Sequence, residues 1–171
     1  MSKLKQVLIP SIALFVICAV VSLALAGTNF ITKDTIKKSE QTALQNSLSV
    51  AVPNADEFKE MHIQNNVYYT ALKDNSPIAY VIETKAKGYG GDITALTAIS
   101  KDGKLLKVTV TDASNETTGI GTKVTESEFL DGFTGSPDNV DGVTGATYSS
   151  NGVKQAVKNA FEIFEKIGGE K

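Results

Sequence analysis

The chain has one cysteine and one histidine in 171 residues. A single thiol, Cys18, rules out a disulfide within the chain. It equally rules out thiolate-held iron–sulfur clusters and zinc sites of the usual spacing. His62 has no second His or Cys near it in sequence, so it reads as a surface residue, and no metal site is expected. Ser/His/Asp catalysis would have to rest on His62 alone, and Cys18 is locked in an apolar run with no histidine partner. A nucleophile elbow is absent, as is the phosphate loop G-x-x-x-x-G-K-[ST]. Gly88-Tyr89-Gly90-Gly91 lacks the three-glycine spacing of a dinucleotide fingerprint. An excess of charge is missing too: the formal net charge is -2, which argues against a nucleic-acid partner. The acids are scattered, so an ordinary hydrolase is poorly supported.

What is present begins with a charge-free apolar run, Val7 to Ala26. Twenty helical residues span about 30 Å, the hydrocarbon thickness of a bilayer. Pro10 falls in the first turn of such a helix, where it costs little. Ala24-Leu25-Ala26 resembles a signal-peptidase site, but the run is longer than a signal peptide's apolar region, which favours an uncleaved anchor. Lys3 and Lys5 on one side nearly balance Lys33, Lys37 and Lys38 on the other, so charge alone sets the orientation weakly. A short cytoplasmic tail with the C-terminal part outside is the preferred arrangement.

Ile31 to Ser49 has Ile36, Ala43, Leu44 and Leu48 spaced for one helix face, with Asn29 and Thr32 as potential breaks and Pro53 as the end. Asp56 to Met61 reads as a further short helix. Four strands follow, at Val67–Leu72, Ile78–Lys85, Ile93–Ser100 and Leu105–Thr111. The turn residues Lys73 to Pro77 join the first two, and Asp102-Gly103 the last two. Glu126 to Phe133 reads as a short helix with Phe129 and Phe133 inward, and Gly135 to Asn139 as loop. The last helix runs from Ser149 or Ser150 to Ile167 on a stripe of Val153, Ala156, Val157, Ala160, Phe161 and Phe164, ended by Gly168-Gly169. This order predicts an α+β fold: a single N-terminal transmembrane helix, then a domain with an antiparallel sheet and a C-terminal helix. The expected division is an anchor over residues 1–28, a helical connector over 29–66 and a folded domain over 67–171.

The chemistry concentrates ahead of the last helix, in Asp141-Gly142-Val143-Thr144-Gly145-Ala146-Thr147. Capping accounts for Ser149 or Ser150, and a turn for Asp141-Gly142. It accounts less well for the small, flexible Thr144 to Thr147 just upstream. A helix start behind such a loop also suits a phosphate, so the residues alone leave both readings open.

The same seven residues resemble the flavinylation motif D-x-x-[ST]-G-A-[TS] of FMN-binding domains. Glu116-Thr117-Thr118-Gly119-Ile120-Gly121 resembles that family's E-T-x-G-[LI]-G loop, with Thr118 where many members carry proline. Gly88-Tyr89-Gly90-Gly91-Asp92-Ile93 resembles its glycine–tyrosine stretch before a strand. With the anchor, the resemblance covers nearly the whole chain and is to the G subunits of Rnf electron-transport complexes, relatives of the C subunits of sodium-pumping NADH:quinone oxidoreductases, which usually have a larger soluble part. It implies FMN joined by a phosphoester to Thr147, installed by a separate flavin transferase from FAD. Thr144, Gly145 and Ala146 would border the phosphate. Glu116, Thr117, Thr118 and Gly119 would lie against the flavin, and Tyr89 would stack on it. No residue would be catalytic by itself. The partners implied are the other subunits of the complex, which moves electrons between ferredoxin and NAD and couples this to sodium or proton transport. The domain would sit on the extracytoplasmic side of the cell membrane. Three rivals remain at this level: a C-type flavin subunit of a sodium-pumping NADH:quinone oxidoreductase, a membrane-anchored, non-redox binding module, and a stand-alone flavoprotein reductase.

Overall fold

A computed structural model describes residues 3–64, 66–135, 137 and 140–168, with side chains described from Leu8 onward. Gly169 of the expected helix end, and Ser136, Asp138 and Asn139 of the expected loop, lie outside the described residues. By its contacts the chain divides into two units, Met1–Leu44 and Gln45–Lys171.

The first unit is helical, belonging to α1 (Lys3–Ala51), and carries the apolar stretch with its side chains exposed. Among the described residues it is the helix long and apolar enough to cross a membrane. Asn29 and Thr32 do not interrupt it. The hydroxyls of Thr28 and Thr32 donate back to the carbonyls of Ala24 and Thr28, at 2.9 and 2.5 Å, so these polar groups are satisfied within the helix.

The second unit is built on a five-stranded antiparallel meander in the order β1 (Glu57–Ile63), β2 (Asn66–Lys73), β3 (Ser76–Lys87), β4 (Asp92–Ser100) and β5 (Leu105–Asp112). The short helix expected at Asp56 to Met61 is instead strand β1, so the expected connector ends in sheet. β1 is an edge strand paired along its length with β2 and mostly exposed, which hides the alternation that marks a strand. Asp74 and Asn75 both take positive φ, 49° and 63°, between paired Lys73 and Ser76. That is the two-residue turn whose twist matches the flanking strands.

After the sheet come a 3-10 turn at Gly121–Thr125, α2 (Ser127–Leu130), a second 3-10 turn at Asp131–Phe133, and α3 (Thr147–Gly168). Phe129 and Phe133 are buried and meet edge to face with centroids 5.4 Å apart. They join Ile93, Val108, Val124, Val153 and Val157 in one core cluster; Tyr80, Ile82, Ile99, Ala160 and Ile163 form part of another. The first joins α3, β4 and β5 to α2 and the two 3-10 turns, and the second joins α3 to β2, β3 and β4. Two further features seat the helix. The Thr84 hydroxyl donates to the Ala156 carbonyl at 2.8 Å. Gly152 lies so close to β3 that a Cβ there would come within 2.8 Å of the Lys87 carbonyl oxygen.

One core position is chemically discordant. Thr97, in β4, is fully buried, and its hydroxyl finds no hydrogen-bond partner among the described residues. Burying an unpaired hydroxyl costs stability that an apolar group of the same shape does not. Thr97→Val should therefore raise the unfolding free energy by about 1 kcal/mol, read as a higher midpoint in urea titration. An equal or lower midpoint would show that the hydroxyl is satisfied.

Candidate functional site

Two tight turns and one buried carboxylate build the site. The first turn spans Val143 to Ala146, where the Ala146 amide donates to the Val143 carbonyl at 2.9 Å and Gly145 takes φ +81°. A positive φ at the third position is the type II pattern, which favours glycine there. The second spans Thr117 to Ile120, with the Ile120 amide donating to the Thr117 carbonyl at 3.1 Å and Gly119 at φ +77°. Thr118 holds the second position of that turn, the place where proline's fixed φ fits best.

α3 begins at Thr147, two residues earlier than the serines suggested. Its first internal bond runs from the Ser150 amide to the Ala146 carbonyl at 2.9 Å, which puts Ala146 in the capping position. Ser149 and Ser150 are not caps. Both are buried and work sideways: the Ser149 hydroxyl donates to Glu116, and Ser150 Oγ accepts from the Val143 amide at 2.9 Å. An alanine in the capping position has no oxygen to offer the first-turn amides. Thr147, in that first turn, is exposed, and a helix start without a side-chain acceptor for its amides is a place where anions bind. None of the 17 basic residues is arginine, so a fork of guanidinium donors is not available to do this job.

Glu116 sits beneath, 5% exposed. Its carboxylate accepts from the Ser149 hydroxyl, from the Gly90 amide at 3.0 Å and from the Tyr89 amide at 3.3 Å. Burial pushes its pKa up, but the bonds from Ser149 and the Gly90, Tyr89 and Gly91 amides outweigh this and hold it below the ordinary value. It stays charged at neutral pH and ties the Gly88–Gly91 loop to the start of α3.

These elements enclose a cleft of about 300 Å³, lined by Tyr89, Thr117, Ile120, Gly121, Gly145, Ala146, Thr147, Tyr148 and Ser149. The cleft thus gathers five of the residues expected from sequence: Tyr89, Thr117, Gly145, Ala146 and Thr147. Glu116 lies below it; Thr118 and Gly119 shape its rim through their turn without lining it. Thr144 faces a neighbouring cleft of about 370 Å³ with Lys123, Glu126, Phe129 and Asp141. Ile120, Gly121, Tyr148 and Ser149 are additions that sequence reasoning misses. An aromatic directly after the motif's last hydroxyl is the available signal for Tyr148. Among the described residues no group of three or more His, Cys, Asp and Glu side chains is placed to hold a metal ion.

Comparison with known proteins agrees with this geometry. Residues 88–162, which contain every lining residue, match the FMN-binding domain family, and residues 1–50 match the RnfG N-terminal region. In Clostridium ljungdahlii, the G subunit of a proton-translocating ferredoxin:NAD(+) oxidoreductase complex is 31% identical over 92% of this chain and 91% of its own length. The corresponding subunit of the Na(+)-translocating complex of Acetobacterium woodii is 26% identical over 90% and 89%. The crystal structure of Shewanella oneidensis NqrC shares the fold, with a TM-score of 0.50 and 20% identity over 65% of this chain and 67% of that one. The sheet, the last helix and the cleft between their loops therefore define an FMN-binding domain on a membrane-type helix. The chain belongs to the family of G subunits of ion-translocating ferredoxin:NAD(+) oxidoreductase (Rnf) complexes.

Two outcomes test the site's construction. The folded-state pKa of Glu116 lies below its ordinary 4.5, so its stabilising effect is complete above that value and fades as pH falls through the lowered one. Glu116→Gln should cost about 1–3 kcal/mol at neutral pH, with the gap to wild type in urea unfolding closing as the pH drops into the acid range. A gap that stays constant there would mean the charge is irrelevant. Thr118→Pro should stabilise the chain by about 0.4–1 kcal/mol, because proline matches the turn and restricts the unfolded chain. A loss of stability would exclude the type II assignment.

Proposed function

We propose that this chain is the electron-relay subunit, with FMN held covalently, of a membrane complex coupling ferredoxin:NAD electron transfer to sodium or proton translocation. The observation that carries this is the exposed Thr147 at an uncapped helix start, inside the segment that matches FMN-binding domains. The relatives along nine-tenths of the chain support the assignment to the complex. They are named for different ions, so both ions stay in the proposal.

The residues present fit the cofactor. The first-turn amides of α3, with the backbone at Gly145 and Ala146, hold the phosphate; Thr147 Oγ bonds to it. A separate flavin transferase makes that phosphoester with FAD as donor, so that AMP leaves and the hydroxyl proton is lost. Thr144 acts through the turn that presents Thr147. Thr117 borders the ring system, Thr118 and Gly119 shape the turn beside it, Tyr89 stacks against it, and Glu116 fixes the loops around it. FMN, when bound, exchanges one or two electrons, and the protein positions and tunes it. The tether keeps a small cofactor at a high effective concentration and stops its loss. Thr147 is thus an attachment point, and the subunit is not catalytic alone.

Residues 1–28 serve as a single-pass anchor in the cell membrane, beside other subunits of the complex. The C-terminal unit, β1 included, is the flavin domain and lies on the extracytoplasmic side. A C-type flavin subunit of a sodium-pumping NADH:quinone oxidoreductase would share the fold, but relatives matching along both the anchor and the domain favour the G type.

Full-length protein co-expressed with a flavin transferase should give a flavin-fluorescent band after denaturing electrophoresis. Thr147→Ala should abolish the band and Thr147→Ser should retain part of it. A bright band in the alanine variant would move the attachment elsewhere; a dark wild-type band would favour a non-redox binding module.

A further inference from the structure

Two large rings stand open at the cleft. Tyr89 is 70% exposed and Tyr148 71% exposed, and both line the same cleft as Thr147. Their centroids are 6.3 Å apart, with the planes inclined at 47°. Exposed aromatics that meet each other beside a helix start are poorly explained by packing, because most of each ring's apolar surface is left in water. Their backbones are held from below by one group. The Glu116 carboxylate accepts from the amide of Tyr89 and from the hydroxyl of Ser149, the residue after Tyr148. The rings are therefore mounted on elements that cannot drift apart freely.

We propose that Tyr148 is a second aromatic contact for the isoalloxazine of the FMN attached at Thr147, completing with Tyr89 a two-ring seat whose spacing Glu116 and Ser149 set. This rests on the covalent-FMN reading above. The geometry selects how the seat is used. A flat ring sandwiched between two others needs about 7 Å between their planes, since carbon atoms touch at about 3.5 Å. At 6.3 Å and 47°, the pair cannot take a flavin between its members. Tyr148 and Tyr89 as they stand would instead offer the flavin the open side of the pair, a face from one ring and an edge from the other. Tyr148 follows the attachment residue directly, so the tether and this ring leave the same first turn of α3. Tyr89 comes from the loop opposite.

Tyrosine in contact with flavin gives a readout distinct from attachment. A photoexcited flavin takes one electron from the phenol and returns it, so emission is quenched with no net oxidation of either group. A flavin seated on a fixed chiral surface also acquires circular dichroism in its visible bands. The experiment uses the full-length flavinylated protein in detergent, comparing wild type with Tyr148→Leu, Tyr148→Phe and Tyr89→Leu. Denatured-gel fluorescence measures attachment, while native emission and visible circular dichroism measure seating. With labelling equal on the gel, each leucine variant should show a several-fold rise in native emission and a weakened dichroic signal. Tyr148→Phe should keep the dichroism, because the ring remains, while losing quenching. Equal labelling with unchanged emission and dichroism in Tyr148→Leu would overturn the seat and leave the tether standing. Should Tyr148→Leu disturb labelling through its position beside Thr147, Tyr148→Phe decides, and unchanged emission there would overturn the seat. A wild-type chain without gel fluorescence would overturn both readings.

Discussion

A carboxylate taken out of water must be surrounded by donors, and Glu116 is surrounded by donors from segments far apart in sequence. The Tyr89 and Gly90 amides come from the connection between β3 and β4; the Ser149 hydroxyl comes from the start of α3. Thr84 and Gly152 seat the body of α3 on the sheet, and Glu116 adds the tie between its first turn and the loop. Because the charge is held by several donors, it resists protonation as well as displacement. Everything that gives the cleft its shape is arranged around this point: the orientation of Tyr89, the sideways use of Ser149, and hence a helix start that no serine caps. Glu116 has claimed Ser149, one of the two serines that would otherwise have been candidate caps.

The same logic explains which features were legible in the sequence. The turns at Asp74-Asn75 and Asp102-Gly103 could be read directly, because residues tolerant of positive φ stand between alternating apolar runs. The stripe on α3 could be read because one face packs on the sheet; the structure adds Ile163 and Ile167 to it. The edge strand β1 could not, since pairing with β2 rather than its own pattern makes it a strand. The serines misled because hydroxyls before a helix look alike whether they cap it or bond elsewhere, and the difference is made by Glu116, more than thirty positions away in the chain. Tyr148 was equally hidden: whether the residue after Thr147 faces a cleft depends on the phase with which the helix begins.

Motif residues also divide by physical role once the turns are seen. Gly145 and Gly119 each take the positive φ of a type II turn, so their presence is accounted for by backbone conformation before any ligand is considered. Ala146 is buried at the capping position, where a larger side chain would need room. Thr144 and Thr147 both carry exposed side chains with no hydrogen bond to them among the described residues, and of the two only Thr147 lines the cleft shared with Tyr89 and Thr117.

The connectivity has a consequence for how the site comes into being. Each strand pairs with its sequence neighbour, so the sheet consists of local contacts that form without waiting for distant parts of the chain. The helix carrying Thr147 is the last element in order, and its packing partners are β3 and β4, already paired by then. The Thr147 hydroxyl therefore reaches its final surroundings only after the whole sheet has been made. A chain cut between Glu116 and α3 would own a whole sheet and Glu116, yet no cleft: the sheet can exist without the site, and the site cannot exist without the sheet.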